Sequence, residues 1–188
     1  MADPHKIYID SCCFISLANY KLTGDHEHGR DKDNDYLSKI LHAAYDDRLA
    51  LFTSTLTIAE CLCIKKQNVK VYTDDVQKKF NSILLSGFIR HISPDIFVTS
   101  RARDLLWKHN ITGLESADSI HIASALSVGC KEFITLDGVK KRKGLLKLKG
   151  EFVKVGLSIV LPSETKYLPG EYLQENLGLN AAEELEDE

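Results

Sequence analysis

The chain has 188 residues, of which 44% are hydrophobic and 27% charged, the balance of one globular domain with a sizeable core. No apolar run approaches the roughly 18–20 residues needed to cross a membrane, and the opening Met1-Ala2-Asp3-Pro4-His5 lacks the basic-then-apolar pattern of a secretory leader; a cytoplasmic protein with no membrane partner is expected. The net charge of −3 does not exclude an anionic partner, because seven of the 27 acids and none of the 24 bases lie beyond Gly170, which leaves +4 on residues 1–170.

Lys6-Ile7-Tyr8-Ile9 reads as a short strand that stops at Asp10, followed directly by a helix from Cys12 to about Tyr20. Residues 22–35 are polar and glycine-containing and read as a loop. Its His26 and His28 have no third ligand in view, so a solvated loop is expected. Tyr36 to Asp47 shows helical spacing at Tyr36, Leu37, Ile40, Leu41 and Ala44. Leu49 to Phe52 is a second strand. Ser54 or Thr55 can cap a helix running through Glu60 to about Lys66. Thr73 to Ser86 is amphipathic, with Val76, Phe80, Ile83 and Leu84 on one face.

Phe88 to Ile92 reads as a strand, and Pro94 opens a helix to about His109. On that helix Trp107 reads as core or helix surface, not as a base-stacking platform. Ser116 can cap a helix from Ala117 to Val128, closed by Gly129. Glu132 to Leu136 is a strand ending at Asp137. The basic run Lys140-Lys141-Arg142-Lys143 follows, then strands around 152–155 and 157–161. Pro162 closes the domain, giving residues 1–163 as the folded unit and 164–188 as an acidic C-terminal tail. The five cysteines form no Cys-x-x-Cys pair, and Cys12, Cys13, Cys61, Cys63 and Cys130 read as reduced core residues.

Strands alternating with helices imply an α/β fold with a parallel sheet covered on both faces. Functional groups in such sheets gather outside the carboxyl ends of the strands. Asp10 and Asp137 each end a strand there. Asp118 lies in the first turn of the helix that feeds the strand before Asp137, and Glu60 lies on the helix after the second strand, among apolar neighbours. Three of the acids have a plain alternative, a helix-dipole partner for Asp118 and turn chemistry for Asp10 and Asp137; Glu60, among apolar neighbours, is less easily dismissed. Together, with no Lys or Arg interleaved, they cannot all ionise without a cation, and hard oxygen ligands select Mg²⁺ or Mn²⁺. Carboxylates holding such an ion suit phosphodiester hydrolysis.

Four segments, Ile7-Tyr8-Ile9-Asp10-Ser11, Thr57-Ile58-Ala59-Glu60, Ala117-Asp118-Ser119-Ile120-His121-Ile122-Ala123-Ser124-Ala125 and Phe133-Ile134-Thr135-Leu136-Asp137, resemble in order and separation the acidic motifs of the PIN-domain nucleases. The resemblance spans about residues 6–163. It implies a three-layer α/β/α sandwich with a central parallel sheet and Mg²⁺- or Mn²⁺-dependent hydrolysis of RNA. It implies that Asp10, Glu60 and Asp118 are metal ligands, with Asp137 completing the catalytic set directly or through water, and that Ser11 and Thr135 support the acids. Domains of this size are similar to VapC-type toxins of toxin–antitoxin pairs, commonly homodimers, which makes an antitoxin partner an expectation. The length, the 25–35 loop and the acidic tail depart from that pattern.

Lys140, Lys141, Arg142 and Lys143 are candidate RNA-binding residues by their place after Asp137. His121, one turn after Asp118, could face the acids, but a packed histidine is the plainer reading. The competing functions are a phosphotransferase with an aspartyl-phosphate intermediate, for which no second acid follows Asp10, a non-catalytic RNA- or protein-binding module of the same fold, and a stand-alone nuclease of RNA processing without an antitoxin.

Overall fold

The computed structural model describes residues 3–23, 29–66, 69–138 and 143–174. Five strands, β1 (His5–Ile9), β2 (Leu49–Ser54), β5 (Ile89–Ile92), β6 (Glu132–Ile134) and β7 (Ser158–Val160), pair in parallel in the order β5-β2-β1-β6-β7. A two-stranded antiparallel hairpin, β3 (Ile64–Lys66) with β4 (Val69–Val71), stands apart from this sheet. The helices are α1 (Ser11–Thr23), α2 (Asp31–Tyr45), α3 (Leu56–Glu60), α4 (Asp74–Leu84), α5 (Ile96–Trp107), α6 (Ser116–Ser127) and α7 (Lys149–Phe152).

The alternation of side chains along a strand builds two cores from one sheet. On β1, Ile7 and Ile9 face a core completed by Phe14 of α1, Leu37 and Ile40 of α2 and Phe80 and Leu84 of α4. Tyr8 faces the other way, into a core with Leu105 of α5, Ile122 and Ala125 of α6, Phe133 of β6 and Phe152 of α7. There Tyr8 and Phe133 stack on neighbouring strands with ring centroids 4.9 Å apart, a pairing that adds about 0.5–1.5 kcal/mol to the burial of the rings. The three-layer α/β/α sandwich with a central parallel sheet expected from the sequence is the observed architecture. Among the described residues no helix is long and apolar enough to cross a membrane.

Three elements differ from the sequence expectation. The helix expected over 54–66 is only α3: Cys61 turns out of the helix at φ −81°, ψ 60° while its N–H still reaches the Thr57 carbonyl. The following residues form the β3–β4 hairpin, with Ile64 buried in the first core. A short apolar run such as 61–64 serves a strand as well as a helix. The stretch read as a loop over 22–35 contains the start of α2 instead. Asp31 and Asp33 occupy its first turn, where carboxylates complement the helix dipole, and Asp33 Oδ1 also accepts the Ser163 N–H. The strand expected over 152–155 is helical: Phe152 and Val155, three positions apart, turn to the second core while Val153 stays exposed, and Gly156 reverses the chain at φ +78°. The sheet edge beside β6 is filled by β7.

Of the two cap candidates for α3, Thr55 holds the N-cap position without a side-chain bond and Ser54 Oγ accepts the Leu56 N–H; one cap shifts, since Glu115 rather than Ser116 stands at the N-cap of α6. Beyond Pro162 the chain keeps packing on the body. Leu168 and Tyr172 join the first core, the Tyr172 hydroxyl donates to Asp46, and Thr165 and the Lys166 N–H satisfy the buried Glu132 carboxylate. Residues 26, 28, 140–142 and 175–188, which include the His26/His28 pair, Lys140, Lys141, Arg142 and most of the acidic tail, lie outside the described residues.

Candidate active site

The sheet order sets the place of the site. From β1 the chain moves to β2 and β5 on one side, then crosses to β6 and β7 on the other. β1 and β6 therefore flank the switch point, and the crevice beyond their carboxyl ends is where groups from several elements meet.

Asp10 sits in that crevice, 6% exposed. Its N–H extends the β1–β6 pairing by donating to the Ile134 carbonyl at 3.0 Å. Its carboxylate is enclosed by donors. Oδ1 accepts the Ser11 N–H at 2.8 Å, with the Ser11 hydroxyl at 3.4 Å, and Oδ2 accepts the Thr135 hydroxyl at 2.7 Å and the Cys12 thiol at 3.1 Å. Thr135 is a bridge: the same Oγ1 accepts the Asp137 N–H at 2.9 Å. The structure thus places Ser11 and Thr135 directly against the acids. Cys12 is an addition that the sequence offered only as a core residue; its sulfur also accepts the Leu136 N–H.

Asp137 is oriented by a turn that requires glycine. Its Oδ2 accepts the Leu145 N–H and its carbonyl accepts the Leu146 N–H. The chain returns against it at Gly144, with φ +143°, where a Cβ would lie 2.6 Å from Asp137 Oδ2 and 2.7 Å from the Gly138 backbone. Only a residue without a side chain permits this approach. Lys143, exposed beside that glycine, is the described member of the basic run.

Asp118 stands in the first turn of α6. Burial, then the charges of Asp10, Asp137 and Glu115, push its carboxyl up to about 6, against a smaller pull from His121. Three acids from three elements therefore share one electrostatic environment. Glu60, at the end of α3, joins it differently. Its Oε2 accepts from His121 Nε2 at 2.7 Å, and the other ring nitrogen, Nδ1, meets the Tyr8 hydroxyl at 2.7 Å. Burial pushes Glu60 up, but the hydrogen bond and charge of His121 and a bond from Ser11 outweigh it and hold the carboxyl below its ordinary value. Burial pushes His121 down, and Glu60, Asp10 and Asp118 outweigh that and raise it. His121 is thus both packed, at 1% exposure, and tied to the acids.

Among the described residues no three His, Cys, Asp or Glu side chains converge closely enough to cage an ion as they stand. The donor chemistry nevertheless fits a hard divalent cation. Burial and the charges of Asp10 and Asp137 raise Asp118, a cost that a bound cation would relieve, and all three offer carboxylate oxygens.

One consequence is measurable without any ion. A carboxyl whose folded value is raised binds its proton more tightly in the native state, so stability falls as pH rises from about 4 through about 6, and the cost is complete above that. Asp118→Asn removes the cost. In metal-free buffer the variant is expected to gain on the order of 1–2 kcal/mol over the native chain at pH 7–8, allowing for the partial exposure of the group, and to lose that gain near pH 4. Thermal melts at the two pH values measure it; an equal effect at both would contradict the shared field.

The comparisons with known proteins bear on the family and the fold. The PIN domain model matches residues 7–144. The fold is similar to a chain in the crystal structure of VapBC2 from Rickettsia felis bound to a DNA fragment from their promoter, at 13% identity and a TM-score of 0.51 over 83% of this chain and 98% of that one. A chain of FitAcB from Neisseria gonorrhoeae aligns at 15% identity and a TM-score of 0.46 over 85% of this chain and 99% of that one. No curated protein sequence matches. With the model covering most of its length, this chain belongs to the PIN domain family.

Proposed function

We propose that this chain is a Mg²⁺- or Mn²⁺-dependent endoribonuclease and that it is the toxin of a toxin–antitoxin pair. PIN domains are generally nucleases. The observation that carries the reading is the gathering of Asp10, Asp118 and Asp137 at the switch point of the sheet, where burial and then the charges of the other two raise the Asp118 carboxyl. Asp10, Asp118 and Asp137 would hold the ion, with Glu60 joined to them through His121. When bound, the ion supplies charge neutralisation at a phosphodiester and lowers the pKa of a water.

The remaining groups orient the acids. Ser11, Cys12 and Thr135 fix both oxygens of Asp10. The Leu145 N–H fixes Asp137, and His121 fixes Glu60. Preset orientation of this kind removes reorganisation from the reaction. The basic run 140–143 supplies phosphate contacts, whose affinity weakens with salt. The VapBC2 likeness supports an antitoxin partner for this chain, and the homodimer expected of such domains is proposed with it.

Incubating the purified protein with single-stranded RNA tests the activity. Cleavage is expected with Mg²⁺ or Mn²⁺ and none with EDTA. No cleavage with either ion over long incubation would refute the enzyme.

A further inference from the structure

The α5–α6 side of the molecule carries a groove that the reading above leaves unused. It encloses about 360 Å³ and is lined by Ala102, Arg103, Leu106 and Trp107 of α5 and by Ser116 and Ser119 of α6. That volume is at the lower end of the roughly 300–1,000 Å³ of pockets that bury small ligands. Trp107 is the single tryptophan of the chain and is 72% exposed. The Arg103 guanidinium lies over its ring, 4.9 Å from the centroid. The groove is thus an aromatic platform with a planar cation already stacked on it.

Its other end is Ser116 and Ser119 in the first turn of α6, the turn that also carries Asp118; at about 3.6 residues per turn the two serines form the face of that turn turned away from Asp118, so a strand that touches both groove and acids passes over the start of α6. Among the described residues that line it, Arg103 alone carries a charge, which favours an anionic chain. The exposed pair Ile96 and Phe97 lies at the opposite end of α5, roughly 15 Å away at 1.5 Å per residue.

We infer that this groove holds an unpaired nucleobase of an RNA strand whose scissile phosphate lies at the acids, stacked on Trp107 and Arg103. The inference rests on the nuclease reading and names what that nuclease grips. Aromatic rings and guanidinium planes accept any base face, so the grip is tolerant of sequence, and it selects single-stranded over duplex RNA because only an unstacked base offers its face.

The test uses Trp107 as its own probe, in the Asp10→Asn background so that RNA survives. Titration with unstructured oligoadenylate is expected to quench the tryptophan emission. Adding Trp107→Ala is expected to weaken binding, read by anisotropy of labelled RNA, by roughly 5- to 100-fold, and Trp107→Phe to restore most of it. Binding with unchanged emission and equal affinity in Trp107→Ala overturns the inference, while cleavage by the unmutated protein with Mn²⁺ would leave the nuclease reading standing. A variant that changes self-association in sedimentation velocity but not RNA binding makes the groove a protein interface and also overturns it. A native protein that neither binds nor cuts RNA removes both readings together.

Discussion

Asp10→Asn is expected to cost more than the roughly 10–100-fold typical of losing an outer partner of a metal site, and so to abolish cation-dependent RNA cleavage in practice. Both oxygens of Asp10 accept hydrogen bonds, Oδ1 from the Ser11 N–H and Oδ2 from Thr135 and Cys12. An asparagine must turn its NH₂ towards one of these donors, which loses a bond worth about 1–2 kcal/mol in a buried place. The same change removes the charge that, after burial, does most to raise Asp118. Two outcomes therefore accompany the loss of cleavage: RNA binding largely survives, and the Asp118 carboxyl falls from about 6 towards its ordinary value, which NMR titration of the metal-free variant reads. Retained cleavage would remove Asp10 from the chemistry.

The second large effect belongs to His121. It is buried between a fully buried tyrosine and a carboxylate, and it satisfies both. His121→Ala opens a cavity, takes the imidazole from the Tyr8 hydroxyl, which keeps Thr53 and the Ser54 backbone beside it, and removes the hydrogen bond that holds Glu60 below its ordinary value. The expected loss is about 2–4 kcal/mol, read as a lower urea midpoint. Tyr8→Phe in the native background removes the bond to His121, and adding it to His121→Ala should cost less than it does alone, because that interaction is already gone. Additive losses would mean that the two rings do not act as a pair.

The pH dependence has a definite sign. Since His121 is raised in the fold, its contribution is complete below the unfolded value of 6.5 and fades as pH rises through the raised value. Asp118 acts in the same direction over a lower range. For these two groups, the metal-free protein is more stable at pH 6 than at pH 8.

Much of the site was legible because strand ends are legible. The alternation in Ile7-Tyr8-Ile9 and Phe133-Ile134 marks strands, and a parallel sheet dictates that the acids following them meet. What stayed hidden depends on contacts between distant residues. Tyr8 and His121 are 113 positions apart and carry no local pattern that pairs them. The need for Gly144 arises only when the chain folds back on Asp137 and Gly138. Cys12 read as a small apolar residue because a thiol does not announce which carboxylate it faces. The early end of α3 was missed for a different reason. Apolar residues continue through 61–64, and their period does not tell that the chain has left the helix for a hairpin. Trp107 was placed on a helix correctly, but its exposure depends on how α5 and α6 leave a groove between them.

The central claim is that Asp10, Asp118 and Asp137 form one site for a divalent cation. Anomalous diffraction from crystals soaked in Mn²⁺ tests it most directly. The expected result is a peak with Asp10 and Asp118 among its ligands. A peak only at other residues, or none under conditions where Mn²⁺ supports cleavage, would contradict it.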